Sequence, residues 1–339
     1  MTTPLNIIAE IAQGYEGKPE LAMHLVKAAA RSGADGIKMQ LVYADELATS
    51  DYQHFELFKS LEMADEVWTA LADSARQQNI AFYLDIFGPR SLQLAQKLKV
   101  AGVKIHSTDM SNIGFLADLA ASEIDMVMLS ISGCRVEEID EAMATLANKQ
   151  VFLLHGFQSY PTPLDANQIS RLHLLQKKYS GLPQCAGLGF ADHVPADDPL
   201  RFVLAAVALG AGVTLLEKHL TLSKLMQFED YESALNPDEF ATFVHNMKEC
   251  YTAIGLTDAT RSDFGMHASE ESYRAATRKH VVAARPIPAG TKIEPDMVSL
   301  KRTSSPTYIQ DIRASYGRTY AEDLAADQAV TPELLKNGN

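Results

Sequence analysis

Val213-Thr214-Leu215-Leu216-Glu217-Lys218-His219 is the last of eight short apolar runs that each end in polar or charged residues. The earlier runs span residues 6–10, 36–40, 81–85, 103–107, 125–130, 151–155 and 187–190, the seventh running on into Asp192-His193. A stretch with helical character follows each of them. Spacing of about 30 to 35 residues suits parallel strands joined by helical crossovers, as in a barrel or a doubly wound open sheet. Eight units, nearly all ending in polar residues, favour closure into a TIM (β/α)8 barrel, an α/β fold whose reacting surface lies at the C-terminal ends of its strands.

The connecting segments agree. Residues 19–31 predict a helix, with Pro19 suited to its first turn and Leu21, Leu25 and Ala28 on one face. Further helices are expected over 65–78, 90–98, 113–121, 136–147, 165–179, 199–209 and 237–254. A polar and aromatic insertion at 42–63 lies where barrels place substrate contacts. After Gly255 the pattern changes. The reading is a barrel domain over 1–256, a polar linker over 257–277, and a small β-rich domain over 278–337 built of short runs between Pro and Gly turns. A domain of that size buries only a marginal core, so docking on another surface is expected.

The net charge of -13 argues against nucleic acid, whose phosphates demand a basic surface. A local cluster of Lys and Arg can still make a pocket for a small anion. Cys134, Cys185 and Cys250 lack CxxC spacing and read as free thiols. With no apolar run of membrane-spanning length and no signal-like start, the expectation is a cytoplasmic protein that does not meet a membrane.

His193 and His219 close adjacent strands, and two imidazoles with oxygen ligands suit a divalent transition metal. Each could also be a satisfied polar core residue. Lys38 and Lys104 sit inside otherwise apolar strands, where a lysine is costly unless paired or functional. They could grip a phosphate or carboxylate, or pair with Glu10 or Glu217. Ser107, Ser130 and Ser132 could add hydroxyls to an anion. Glu10 could be a general base, a water-orienting carboxylate or an ion-pair partner. Asp85 has no evident role. Tyr160-Pro161-Thr162-Pro163 makes a stiff turn that aims Tyr160 over the barrel mouth. P-loop, GxGxxG and GxSxG patterns are missing.

Together these pieces resemble the sialic acid synthase family. The resemblance runs through Ala9-Glu10-Ile11, residues 33–40, residues 104–112, Tyr160-Pro161-Thr162-Pro163, Asp192-His193, residues 217–222 and Asn236-Pro237-Asp238-Glu239-Phe240. The C-terminal segment resembles the antifreeze-like (SAF) domain, with an Ile287-Pro288-Ala289-Gly290 turn and a Lys301-Arg302 pair. It implies condensation of phosphoenolpyruvate with an N-acetylated hexosamine to a nine-carbon 2-keto-3-deoxy sugar acid of sialic, legionaminic or pseudaminic type. It further implies Glu10 and Glu217 as catalytic carboxylates, and Lys38, Lys104, Ser107, Ser130 and Gln158 around phosphoenolpyruvate. Gln40, Tyr160, Asp230 and Arg302 would contact the sugar, and His193 and His219 would hold manganese or magnesium. Arg302 would reach the partner's barrel, which implies a domain-swapped homodimer. The segment Ala12-Gln13-Gly14-Tyr15, together with Gln158 and Ala191, departs from the family pattern. A metal-dependent aldolase or phosphoenolpyruvate synthase acting on a sugar phosphate, and an inactive barrel serving as a binding module, are the rival readings.

Overall fold

The computed structural model describes residues 4–255 and 265–336. The chain forms two compact units, Met1–Thr257 and Asp258–Asn339.

The first unit contains β1 (Asn6–Ala12), α1 (Pro19–Arg31), β2 (Gly36–Gln40), α2 (Ala44–Leu47), α3 (Phe55–Ser60), α4 (Asp65–Gln77), β3 (Ala81–Asp85) and α5 (Pro89–Leu98). It continues with β4 (Gly102–Ile105), α6 (Ile113–Ala121), β5 (Met126–Ser130), α7 (Val136–Thr145), β6 (Gln150–His155) and α8 (Arg171–Tyr179). It ends with β7 (Cys185–Asp192), α9 (Leu204–Gly210), β8 (Leu215–His219) and α10 (Pro237–Ile254). The strands close a parallel barrel in sequence order, β8 pairing back onto β1.

Alternation along each strand sorts the side chains into two layers. One set, including Ile7, Ala9, Ile37 and Met39, faces the helices and joins the large core. The other faces the barrel axis, where Ile8, Tyr83, Met128, Leu154, Ala191 and Leu215 fill the interior. Above that plug, toward the C-terminal ends, the inward positions turn charged. At the end of β1 the register with β2 slips between Glu10 and Ala12, and Ala12 takes a φ of 48°. Such a bulge bends the chain over the mouth of the barrel.

Two predicted helices begin later than expected. Within 165–179 only a 3-10 turn, Leu164–Ala166, precedes α8. Gln168 at a φ of 44° breaks the run, and the Asn167 amide bonds back to Pro163 and Leu164 carbonyls. Within 199–209, α9 starts at Leu204, after tight turns in which Arg201 N donates to Asp198 O and Val203 N to Leu200 O.

The second unit opens with α11 (Ala268–Thr277), inside the segment read as linker. The rest of that linker through residue 264, like residue 337 of the small domain, lies outside the described residues. Antiparallel pairs β9 (His280–Ala283) with β10 (Val298–Lys301), and β11 (Thr319–Tyr320) with β12 (Leu335–Lys336), enclose their own small core. Gly290 turns at a φ of 77°, a conformation that favours glycine, while its N–H donates to Tyr320 O. Among the described residues no helix is long and apolar enough to cross a membrane.

Candidate active site

Five ionisable side chains converge at the ends of β1, β2, β3, β4 and β8. Lys38 is fully buried and paired with Glu10, with Asp85 Oδ1 at 2.7 Å and with Glu217 Oε2 at 3.4 Å. Lys104 Nζ donates to Glu217 Oε1 at 2.9 Å and lies 3.4 Å from Asp85 Oδ2. Neighbouring strands place these groups on one level: Glu10 pairs in register with Lys38, and Asp85 with Lys104. Three carboxyl groups thus face two amino groups, all of them buried.

Burial drives the Lys38 ammonium down to about 8, against the pull of Asp85 and Glu217. At Lys104 burial acts the same way, but Asp85 and Glu217 outweigh it and the group is held above its ordinary value. Burial would raise Glu217, yet the two lysines hold it well below the usual carboxylate range. The site is thus charged and internally compensated.

Beside this floor His193 and His219 stand with ring centroids 5.0 Å apart. Glu217 and His219 point inward while Lys218, between them, points outward to Asp192 at 3.2 Å, buried on the far side of the strands. His193 Nδ1 lies 2.9 Å from Ala191 O, so its N–H donates there and Nε2 keeps a lone pair. Burial pushes His193 down to about 4 and His219 well below its ordinary value, so both imidazoles are neutral and able to ligate. These are the residues that could hold a divalent ion. Among the described residues no group of three His, Cys, Asp or Glu is arranged around one metal position. Two neutral imidazoles suit a divalent ion whose remaining positions would be taken by water or substrate oxygens.

A cavity of ≈ 330 Å³ opens over these groups. It is lined by Glu10, Gln40, Lys104, Tyr160, His193, Glu217, His219 and Asp230, all expected from the sequence. Asp230 supports one wall: its Oδ2 accepts from Gln13 N at 3.2 Å, and its carbonyl accepts from the Tyr160 hydroxyl. Gln13 Nε2 donates to Gln40 Oε1 at 2.9 Å. The 42–63 insertion supplies Leu47 and Phe58, which with Phe87 and Phe157 are the large apolar side chains of the lining.

Other expected contacts stand elsewhere. Lys38 belongs to the charged floor but is not among the residues that line the cavity. Ser107 and Ser130 are not among the lining residues. Gln158 turns its amide to the His155 ring, 3.1 Å from Nε2, and to Asn167 O. Ser132 caps the backbone N–H groups of Gly156 and Phe157. Arg302, in the second unit, is exposed and donates to Thr277 O at 3.0 Å. Sequence reasoning gave Asp85 no role, although its position at a strand end carried the same signal as Glu10. Gln13, His106 and Phe157 were missed because nothing in loop sequence shows which side chains turn into a cavity.

A closed barrel with a charged, imidazole-bearing mouth has the layout of a barrel enzyme, and comparison with known proteins gives its class, the synthases. The NeuB family model matches residues 25–259 and the SAF domain model residues 278–336. The spore coat polysaccharide biosynthesis protein SpsE of Bacillus subtilis is 31% identical over 260 residues, 73% of this chain and 67% of its own. N,N'-diacetyllegionaminic acid synthase of Legionella pneumophila is 26% identical over 97% of this chain and 94% of its own. The crystal structure of N-acetylneuraminic acid synthetase from Leptospira borgpetersenii, solved with citrate, superposes with a TM-score of 0.72 at 26% identity, covering 81% of this chain and 92% of that one. The chain belongs to the NeuB family.

Proposed function

We propose that this barrel condenses phosphoenolpyruvate with the open-chain form of an N-acetylated amino sugar, giving a nine-carbon 2-keto-3-deoxy sugar acid and inorganic phosphate. One observation carries the reading: Lys104, Glu10 and Glu217 of the charged floor line the same cavity as the His193–His219 pair. That combination suits an anionic donor beside an aldehyde that must be polarised. The relatives named as legionaminic, pseudaminic and N-acetylneuraminate-9-phosphate synthases support the same class of product.

Lys104 is already paired with Glu217, so an entering anion exchanges with that carboxylate. The exchange neutralises the donor and frees Glu217 beside the reacting carbons. The methylene carbon then attacks the aldehyde carbon, whose oxygen takes a proton. Water adds at the carbon that bears the phosphate, and the proton it gives up passes through Glu217 or Glu10 to the aldehyde oxygen. The adduct collapses to the ketone as the carbon–oxygen bond to phosphate breaks, its hydroxyl proton leaving with the phosphate. A manganese or magnesium ion, when bound by His193 and His219, supplies Lewis acidity toward the sugar's carbonyl oxygen. Gln40, Tyr160 and Asp230 line the side where the acceptor would extend.

We further propose a homodimer in which Arg302 serves the barrel of the second copy, on the strength of the family resemblance. The test of the function is phosphate release by the purified full chain with phosphoenolpyruvate, manganese and a panel of hexosamines, free and phosphorylated. Release with at least one unphosphorylated amino sugar is expected, and His219→Ala should lose both that activity and manganese binding measured by calorimetry. Release only with sugar phosphates would transfer the chain to the aldolase-like class. No release with any sugar would refute the assignment.

A further inference from the structure

Helix α5 has no cap of its own. It opens at Gly88-Pro89-Arg90-Ser91, and a glycine offers no side-chain oxygen to the first N–H groups of a helix. The oxygens come from a distant segment. Glu46, on α2 of the 42–63 insertion, accepts from Arg90 N at 2.5 Å through Oε1 and from Ser91 N at 3.1 Å through Oε2. These are the second and third N–H groups of the helix, the ones an N-cap side chain takes. Gly88 makes the room: a Cβ there would meet Glu46 Cδ and Oε1 at 2.6 Å.

Glu46 thereby ties α2 to the turn that carries Phe87. Ser91 Oγ accepts from Phe87 N and Gly88 N, both at 3.0 Å, and fixes that turn from within. The start of α2 is braced as well, Ala44 N donating to Glu62 Oε1 at 2.9 Å. The Arg90 guanidinium stacks on Tyr43, 3.6 Å from the ring centroid. A helix of four residues such as α2 has little stability of its own, so these ties decide where it stands. Leu47, the residue after Glu46, lines the cavity, and so does Phe87.

In a closed ring of eight strands, β2 stands four strands from β6 and β3 four from β7, the largest separation available. A sugar whose aldehyde is at His193, after β7, therefore extends across the mouth past Gln40, which ends β2, toward Leu47 and Phe87.

We propose that Glu46 is a positioning residue for the acceptor sugar: by capping α5 it holds Leu47 and Phe87 at a fixed separation in the cavity lining, against the body of the sugar. The assignment rests on the proposed function, because it takes the ligand there to be the acceptor.

Hydrogen exchange of the ligand-free full chain, read by mass spectrometry, and steady-state kinetics test it together. In Glu46→Ala, exchange should quicken over 42–63 and 88–93, and unchanged exchange in the rest of the barrel marks the variant as folded. The KM for the acceptor should rise about tenfold, the size of one lost contact, while the KM for phosphoenolpyruvate stays unchanged. Glu46→Gln keeps one acceptor oxygen and should recover part of the loss. Glu46→Ala combined with Gly88→Ser gives α5 a cap of its own. That double variant should regain protection over 88–93, yet keep a fast-exchanging insertion and a high acceptor KM. Recovery of the acceptor KM there would show that Glu46 serves only the stability of α5 and would overturn the proposal. An unchanged acceptor KM in Glu46→Ala, or an equal rise for both substrates, would overturn it too. If Glu46→Ala loosens the insertion but the wild-type chain turns over no sugar, the tie between α2 and α5 stands and the acceptor role falls with the synthase reading.

Discussion

At the residue scale, Asp85 shows how a site assembles from positions that look alike in sequence. It pairs with both Lys38 and Lys104, so removing it would leave two buried ammoniums short of one counter-charge. Asp230 lies at the opposite electrostatic extreme, beside the acidic Glu229 and Glu232, and among the described residues no ion pair holds its carboxylate, Lys104 acting on it only as the weakest influence. Burial, reinforced by those neighbours, lifts it to about 6. An acid whose folded-state value exceeds its unfolded one binds its proton more tightly when folded, so ionising it opposes folding. That penalty is fully present above pH 6 and disappears as the pH falls through the window from about 6 toward 3.8. Asp230→Asn keeps the acceptor for Gln13 N and should therefore raise stability by about 1–2 kcal/mol at pH 8, with the gain shrinking toward pH 5. Thermal melts of both proteins across that range test it; a gain independent of pH would contradict the assignment. The same residues mark the limit of sequence reading. Lys38, Lys104, Glu10 and Glu217 could be singled out because charge inside an apolar run is costly. Gln13, His106 and Phe157 could not, because their backbone neighbours do not fix which way a loop side chain turns.

At the scale of elements, β7 and β8 act as one unit. Asp192 and Lys218, both fully buried and 3.2 Å apart, cross-link the strands on the side opposite the two histidines. Lys218 Nζ also reaches Val194 O at 3.3 Å. Truncating one partner leaves an uncompensated buried charge, so Lys218→Met or Asp192→Asn should each cost about 3–5 kcal/mol. The double variant Asp192→Leu with Lys218→Met should recover a good part of that loss. Urea unfolding of all three measures it, and singles as stable as the wild type would show that the pair does not lock the strands. The eight strands were legible because their apolar runs are short and end in charge. The helix over Pro237–Ile254 was equally legible: Asn236 and Glu239 form a capping box and Pro237 suits the first turn. The late starts of α8 and α9 were not, since nothing marks Gln168 for a left-handed conformation and Asp198-Pro199 reads as well for the first turn of a helix as for the turns that precede α9.

At the scale of the whole molecule, the proposed exchange of Arg302 between copies makes a prediction that a single chain could not. Arg302→Ala and His219→Ala should each be inactive alone. Unfolded together and refolded, they should regain about one quarter of wild-type activity, because half the random dimers are mixed and each of those has one intact site. No recovery, with dimers present by sedimentation, would show that each barrel depends on its own Arg302.

The sequence by itself determined the barrel, the small β-rich domain after it and the families to which both belong. Periodicity and the cost of burying charge act locally, and both are written residue by residue. Only the tertiary structure decided which polar groups share the cavity. It turned Gln158 away to His155 and left Ser107 and Ser130 out of the lining. It set Lys38 within the floor but out of the cavity lining, and it brought Asp85, Gln13, His106 and Phe157 into the site. Those choices depend on strand register, on a bulge after Glu10 and on loop conformations, all fixed by contacts between residues far apart in the chain.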